Sequence, residues 1–363
     1  MKDNQWFRPA SLEQLLNLQK SLKSFQIIQG GTGSYAISKS TSNQNIIQLG
    51  SSIQELNVIN ETDSSIEIGS CVKLTELEKY FKKIISNLDV QSPVYQLGIA
   101  FSKALSSLAS AQVRNVASVG GSVMWSHPSS DLMTLYILLG CQLRVHSPDG
   151  DSKEITIDES FHKCKSDEII KNRSIILNMI IPKPPSQSMI GFYKKSKRKE
   201  FALSIINMGI ILKYDGSKEG YFDDVKVVIG GTENPGKIET PAYHIIGTNA
   251  MKEISGVVEV SIPRVIVAIS KDLPIHSENQ KMGIYRQGVA VSFLKQFLGT
   301  VAMSKTMKLD VEKRKINRTS TQTYQKIKAD QPNYDEVERP IAHVCSAEQG
   351  KLNNLLNLSK LRH

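Results

Sequence analysis

A stretch with paired glycines, Arg114 to Asp131, most constrains how this 363-residue chain folds. It reads RNVASVGGSVMWSHPSSD, and its adjacent glycines Gly120 and Gly121 let a backbone turn sharply and approach a ligand that any Cβ would push away. Ser129-Ser130-Asp131 then precedes the apolar run Leu132 to Leu139, which predicts a helix N-terminus. The stretch therefore predicts a phosphate-binding turn. A plain tight turn is the alternative if nothing else supports a ligand.

A second segment in which a strand leads into glycines lies near the N-terminus. The predicted strand Gln26 to Gln29 runs straight into Gly30-Gly31-Thr32-Gly33-Ser34. Neither the G-x-G-x-x-G spacing nor G-x-x-x-x-G-K-[ST] occurs there, so neither the common dinucleotide-binding fold nor a P-loop is indicated. A hairpin corner is the alternative interpretation.

The rest of the pattern mixes helices and strands without a regular βαβ repeat, which predicts an α+β fold. Capping boxes at Ser11 and Thr75 each predict the start of a helix, and a hairpin is predicted over Gln142 to Ile157. An apolar strand, Ile175 to Ile181, ends at a proline-rich boundary. We predict three parts: an α+β domain over 1–182, an antiparallel sheet covered by helices over 183–306, and a charged linker or disordered tail over 307–363.

Composition and charge exclude several classes of protein. The net charge is +10, but the basic residues concentrate in 194–199 and after 307 without a binding motif, so we predict no nucleic-acid partner. No apolar span or signal peptide is evident, which predicts a cytoplasmic protein without a membrane segment. The cysteines Cys71, Cys141, Cys164 and Cys345 include no Cys-x-x-Cys pair, so we predict buried thiols and no metal site.

Several motifs in order resemble the FAD-binding subunit or domain of the molybdenum hydroxylases, which are the xanthine dehydrogenases and aldehyde oxidases. The resemblance covers roughly Phe7 to Val301 and continues weakly into Arg339 to Val344. It implies a two-part FAD-binding domain followed by an antiparallel sheet domain covered by helices. The motifs are Phe7-Arg8-Pro9-Ala10-Ser11-Leu12, Ile27 to Ser34, Arg114 to Gly121, Ser130-Asp131-Leu132 and Tyr193-Lys194.

The resemblance implies that FAD is the cofactor and that both glycine segments clasp its pyrophosphate and ribityl chain. Leu108 and Ile176 match apolar positions along the cofactor, and Asp131 matches a cofactor-binding acid that can also cap a helix. Lys194 matches the lysine at the flavin, where positive charge favours a reduced anionic ring. No catalytic residue is assigned. Trp125 and His127 lie near the turn, and His127 is interpreted as a structural or supporting residue without a proton-transfer role. The implied binding set is Ile27, Ile28, Gln29, Gly30, Gly31, Thr32, Gly33, Ser34, Leu108, Ser118, Val119, Gly120, Gly121, Ser122, Asp131, Ile176 and Lys194.

By the same resemblance, the chain is an FAD-dependent oxidoreductase module that takes electrons from iron–sulfur clusters and passes them to oxygen or NAD. The iron–sulfur clusters and the molybdenum–pterin group belong to other domains or subunits of the parent enzyme, and a homodimer stays open. The chain is then either a separate flavoprotein subunit or a truncated product. Glu200 to Asn207 resembles the loop of the aldehyde oxidases, which favours oxygen over NAD. A self-contained FAD-dependent oxidase and a non-catalytic remnant are the alternatives.

Overall fold

The computed structural model describes residues 5–33, 45–89, 92–125, 127, 129–161, 165–185, 187–198, 201–214, 222–231, 244–255, 262–273 and 280–306. The chain from Met1 to Leu309 forms one compact unit. The tail predicted from residue 307 lies outside the described residues, and the predicted division at Pro182 stays a prediction.

The described elements follow one another in the order of the chain. The strands are β1 (Trp6–Phe7), β2 (Phe25–Ile28), β3 (Asn45–Gln48), β4 (Ile59–Glu61), β5 (Ser65–Gly69), β6 (Gln142–His146), β7 (Ser152–Thr156), β8 (Ile175–Pro182), β9 (Ser188–Ser196), β10 (Ser204–Tyr214), β11 (Phe222–Gly230) and β12 (His244–Ile246). The helices are α1 (Leu12–Ser21), α2 (Leu74–Asn87), α3 (Pro93–Ser107), α4 (Ala111–Arg114), α5 (Val119–Trp125), α6 (Asp131–Leu139), α7 (Ser166–Lys171), α8 (Thr248–Ile254), α9 (Ile262–Asp272) and α10 (Gln280–Thr306).

These strands form two antiparallel sheets and a small parallel one. The five-stranded sheet has the order β4-β5-β8-β6-β7 and includes the predicted hairpin of β6 and β7. The four-stranded sheet has the order β12-β11-β10-β9. Both agree with the predicted α+β fold, which is confirmed. The parallel sheet β1-β3-β2, in which Ile27 pairs with Ile47, was not predicted, because strands of two to four residues carry little periodicity.

Helix α6 lies between the two larger sheets, and α3 packs on the four-stranded one. Helix α3 packs on β9, and α6 packs on β8, β10 and β11. Residues Leu132 to Leu138 of α6 are all buried, which explains why this helix is apolar on every side. It begins at Ser130, whose Oγ accepts a hydrogen bond from the Met133 N–H, and ends at Gly140 with φ of 65°. Asp131 is therefore carried into the interior on the first turn of a buried helix.

The helix start predicted at Ser11 is confirmed, although the Gln14 side chain accepts from the Ala10 N–H and not from the Ser11 N–H that a capping box requires, and the box predicted at Thr75 is wrong. Ser11 Oγ accepts a hydrogen bond from the Gln14 N–H at the start of α1. The box predicted at Thr75 fails because α2 begins two residues earlier than that box requires. Its N-cap is Lys73, whose N–H donates to Glu76 Oε2. Thr75 instead donates to the side chain of Asn115, at 2.7 Å. None of the helices in the described ranges combines the length and apolarity needed to cross a membrane.

Candidate cofactor site

A cavity of about 480 Å³ opens where the loop after β2 meets the first turns of α5 and α6. Lys194 of β9 also lines the cavity, as do Phe201, Ala202 and Leu203 of the segment that follows β9. Much of the lining is apolar, and backbone of the glycine loop, Gly30 to Gly33, forms one side. A cavity of this size and character suits an organic cofactor with planar rings.

The glycine loop comes into close contact with its surroundings. A Cβ on Gly30 would lie 2.0 Å from the carbonyl oxygen of Val116, and Gly31 has φ of 66°. No hydrogen bond between described residues uses the backbone N–H of Thr32 or of Gly33. These N–H groups are therefore available to an anionic ligand in the cavity.

The second glycine segment is a short helix, not the predicted turn, and most of its N–H groups are bonded within the protein. The Val119 N–H donates to the carbonyl oxygen of Val72 at 3.0 Å, and the Gly120 N–H donates to that of Ser70 at 2.9 Å. A Cβ on Gly120 would lie 3.0 Å from the Cβ of Ser70. Gly120 is therefore needed for packing of α5 against Ser70, whereas its neighbour Gly121 lines the cavity.

A buried ion pair forms the deep wall of the cavity. Lys194 Nζ lies 2.5 Å from Asp131 Oδ2 and donates to the Ser107 carbonyl oxygen at 2.8 Å. The two side chains are 8% and 5% exposed. Asp131 Oδ1 also accepts hydrogen bonds from Ser204 Oγ at 2.5 Å and from Asn207 Nδ2 at 3.1 Å. The negative charge of Asp131 therefore offsets the positive charge of Lys194, so the electrostatic effect of the lysine on a ligand is reduced.

Burial raises the pKa of Asp131 above its ordinary value, because the carboxylate loses its contact with water. Lys194, Ser204 and Asn207 act in the opposite direction, since each donates a hydrogen bond to the carboxylate. Asn207, which is fully buried, also accepts a hydrogen bond from Thr134 Oγ1 at 2.6 Å. This network fixes the orientation of the acid from two elements, α6 and β10.

The mouth of the cavity is shaped by two residues in the left-handed backbone region. Ala109 has φ of 48° and Phe201 has φ of 50°, and the Phe201 N–H donates to the Ala109 carbonyl oxygen at 3.3 Å. The adjacent carbonyl oxygen, that of Leu108, accepts a hydrogen bond from Arg114 Nη1 at 2.7 Å. Phe201 and Leu203 are 61% and 55% exposed beside the opening. These contacts tie the segment around Phe201 to the segment that follows α3.

Most of the binding residues predicted from the resemblance line this one cavity: Ile27, Ile28, Gln29, Gly30, Gly31, Thr32, Gly33, Leu108, Ser118, Gly121, Ser122, Asp131 and Lys194. Val119, Gly120 and Ile176 are not in the lining, and all three are packed in the interior. Ser34 lies outside the described residues. That each of these residues contacts the cofactor stays a prediction.

The binding set predicted from sequence leaves out further lining residues, of which Trp125, Ser129, Ser130, Ala202 and Leu203 lie in segments that the sequence analysis singled out. Several of them flank predicted positions directly, so proximity along the chain was an available signal, whereas Leu74 reaches the cavity only through the tertiary fold. The residues left out are Gln26, Leu74, Ala109, Val113, Ala117, Met124, Trp125, Ser129, Ser130, Phe201, Ala202 and Leu203.

The cavity fits FAD on two observations besides its volume. The glycine loop leaves backbone exposed where a side chain would clash, which suits a pyrophosphate. Gln29 Oε1 is a buried acceptor without a hydrogen-bond partner among the described residues, while its Nε2 donates to the Cys71 carbonyl oxygen. A ligand hydroxyl would satisfy that acceptor. Within the described ranges, no three His, Cys, Asp or Glu side chains are grouped to hold a metal ion.

The chain belongs to the family described as the FAD binding domain in molybdopterin dehydrogenase, whose model matches residues 2–184. FAD is therefore its cofactor. The relatives in this family are oxidoreductases, and the recognition from sequence is confirmed.

Similar proteins include aldehyde oxidase 1 of Bos taurus, 29% identical over 229 residues, which are 62% of this chain and 17% of the relative. Xanthine dehydrogenase 1 of Arabidopsis thaliana is 27% identical over 231 residues, 62% of this chain and 16% of the relative. The chain thus spans about a sixth of the length of these relatives.

Two solved structures share the fold. The reconstituted CO dehydrogenase from Oligotropha carboxidovorans has a chain that matches with a TM-score of 0.66 and 15% identity, covering 84% of this chain and 98% of that one. Quinoline 2-oxidoreductase from Pseudomonas putida 86 matches with a TM-score of 0.65 and 16% identity, covering 85% and 100%. At this identity the likeness concerns the fold alone.

Proposed function

We propose that this chain is a cytoplasmic, flavin-bearing electron-transfer module of a molybdenum hydroxylase of the aldehyde oxidase and xanthine dehydrogenase kind. Its partners are iron–sulfur and molybdenum–pterin domains or subunits, and its final acceptor is oxygen or NAD. The observation that carries the proposal is the cavity at the glycine loop, formed within a family whose cofactor is FAD. When bound, FAD supplies reversible uptake and release of electrons.

The lining of the cavity supports electron transfer over self-contained oxidation of a substrate. Among the described lining residues, the ionisable side chains are Asp131 and Lys194, and these two are paired with each other. A flavin oxidase that takes a proton from its substrate needs a free base near the reacting atom. A chain that only relays electrons does not need one, so the alternative of a self-contained oxidase is disfavoured.

The residues of the chain would bind and orient the cofactor in three ways. The N–H groups of Thr32 and Gly33 would donate to the pyrophosphate, and the orphan Gln29 Oε1 would accept from a hydroxyl. Apolar residues such as Leu108 and Leu203 would contact the flat rings and exclude water. The Lys194 and Asp131 pair would present hydrogen-bonding groups of nearly zero net charge.

Oxygen is the acceptor that we propose over NAD. Ala202 and Leu203, which line the cavity beside the entrance, belong to the loop that resembles the aldehyde oxidases. The pairing of Lys194 with Asp131 removes one positive charge that would attract the phosphates of NAD. Exposed Lys195, Lys197 and Arg198 still make this rim basic, so the sequence of the loop carries the argument.

The test is a comparison of acceptors on purified, FAD-loaded protein. The flavin is reduced chemically without oxygen and then mixed with oxygen or with NAD at matched concentrations, while flavin absorbance is followed in time. We expect one FAD per chain and faster reoxidation by oxygen. Rapid reoxidation by NAD with slow reoxidation by oxygen would contradict the acceptor, and failure to retain FAD would contradict the module itself.

A further inference from the structure

Trp125 is the last residue of α5, and its indole lines the cavity. The indole is stacked on the imidazole of His127, with ring centroids 4.7 Å apart and planes 14° apart. The orientation of the imidazole is itself fixed, because His127 Nδ1 accepts a hydrogen bond from the Ser129 N–H at 3.1 Å. Burial lowers the pKa of His127, which favours the neutral ring that this bond requires.

The glycine loop also lies close to the indole. A Cβ on Gly33 would lie 2.9 Å from Cδ1 of Trp125, so the absence of a side chain at residue 33 is what allows the two to pack together. The indole is thus held both by His127 and by the loop that would bind the pyrophosphate. A large aromatic ring held in this way forms a rigid, flat part of the cavity wall at low entropic cost to a ligand.

We propose that Trp125 is a contact residue for the cofactor, and that a planar heteroaromatic ring of FAD packs against its indole. The inference rests on FAD as the ligand of the cavity. Aromatic side chains and heteroaromatic bases attract each other through their faces and edges, and a single such contact changes affinity by roughly 5- to 100-fold. Affinity for FAD then depends on an aromatic side chain at this position.

The experiment compares FAD affinity in Trp125→Leu and Trp125→Phe with that of the native chain, by titration of flavin-free protein and isothermal calorimetry. We expect the leucine variant to bind FAD about tenfold more weakly and the phenylalanine variant to stay within about threefold of native. Trp6→Leu is the matched control, because Trp6 is the other tryptophan of the chain and is 58% exposed on β1. Circular dichroism and thermal melting establish folding, and Trp125→Met replaces the leucine variant if that variant does not fold.

Titrations with ADP and with FMN then identify the ring. The half of the dinucleotide whose affinity falls in the leucine variant is the half that packs on Trp125. Equal affinity of native and leucine variants for FAD, ADP and FMN would overturn the inference while leaving FAD binding intact. A native chain that binds no FAD would instead count against the proposed function, so the two failures are distinguishable.

Discussion

Replacing Lys194 with methionine should destabilise the flavin-free protein strongly, because it leaves the Asp131 carboxylate buried without its cation. The carboxylate is 5% exposed, and removal of one partner of a buried ion pair costs about 3 to 5 kcal/mol. Asp131 would keep its hydrogen bonds from Ser204 and Asn207, and the N-terminus of α6 would still stabilise its negative charge. We therefore expect a loss of unfolding free energy at the low end of that range, about 3 kcal/mol.

The measurement is thermal and urea-induced unfolding of native protein, Lys194→Met, Asp131→Asn and the double variant. A loss of about 3 kcal/mol lowers the melting temperature by roughly 5 °C for a compact unit that runs from Met1 to Leu309. Asp131→Asn should cost less, because Lys194 keeps its bond to the Ser107 carbonyl oxygen, and the double variant should recover most of the loss. Lys195→Met, at the exposed neighbouring position, is the matched control.

The loss should also depend on pH with a definite sign. The folded-state pKa of Asp131 is raised by burial, and removal of Lys194 raises it further, because the attraction of the ammonium is lost. The penalty is therefore complete above the folded-state pKa of Asp131 in the variant, and it declines as pH falls through that pKa and the carboxyl group takes up a proton. Stability of Lys194→Met within about 1 kcal/mol of native at neutral pH would refute the reasoning.

Three further outcomes follow from the described contacts. Gly30→Ala should lower stability and abolish FAD binding, because its Cβ would clash with the Val116 carbonyl oxygen. The control Gly50→Ala should preserve both, since no atom lies closer than 3.9 Å to its Cβ. Titration of both variants with FAD is the measurement. Cys71 and Cys141 should resist alkylation in native protein and react after unfolding, because both thiols are buried and burial raises the pKa of Cys71 to about 11. Peptide mass spectrometry measures the labelling, and rapid labelling of the native protein would contradict this prediction. Purified chain should contain no stoichiometric iron or molybdenum and should not oxidise purines or aldehydes, which metal analysis and activity assays test.

The local parts of the site could be predicted from sequence, whereas the parts made by packing could not. The glycine loop was predicted because glycine has a direct backbone consequence at Gly30 and Gly31. Gly120 was assigned to the ligand for the same reason, but its need for glycine comes from Ser70, a neighbour that only the folded chain supplies. The pairing of Asp131 with Lys194 could likewise not be predicted from sequence, because the two residues are 63 positions apart, although each was singled out separately.

The α+β class was predictable because strand periodicity and turn residues were strong in the two larger sheets. The register that brings Ser204 and Asn207 of β10 against Asp131 depends on how α6 packs on that sheet, which no local pattern specifies. Phe201 to Leu203 were predicted as part of the acceptor loop but not as binding residues, since they reach the cavity by a strained backbone, with φ of 50° at a non-glycine residue.

The positions of the residues that bond to Asp131 determine which fragments of the protein can fold. The family match ends at residue 184, but Lys194, Ser204 and Asn207, which satisfy the buried carboxylate, all come after that point. In a fragment expressed as residues 1–184, the Asp131 carboxylate would lack the three side chains that donate hydrogen bonds to it. The fragment would also expose the face of α6 that packs on β10 and β11. The smallest autonomous flavin-binding piece of this polypeptide therefore extends at least through β11.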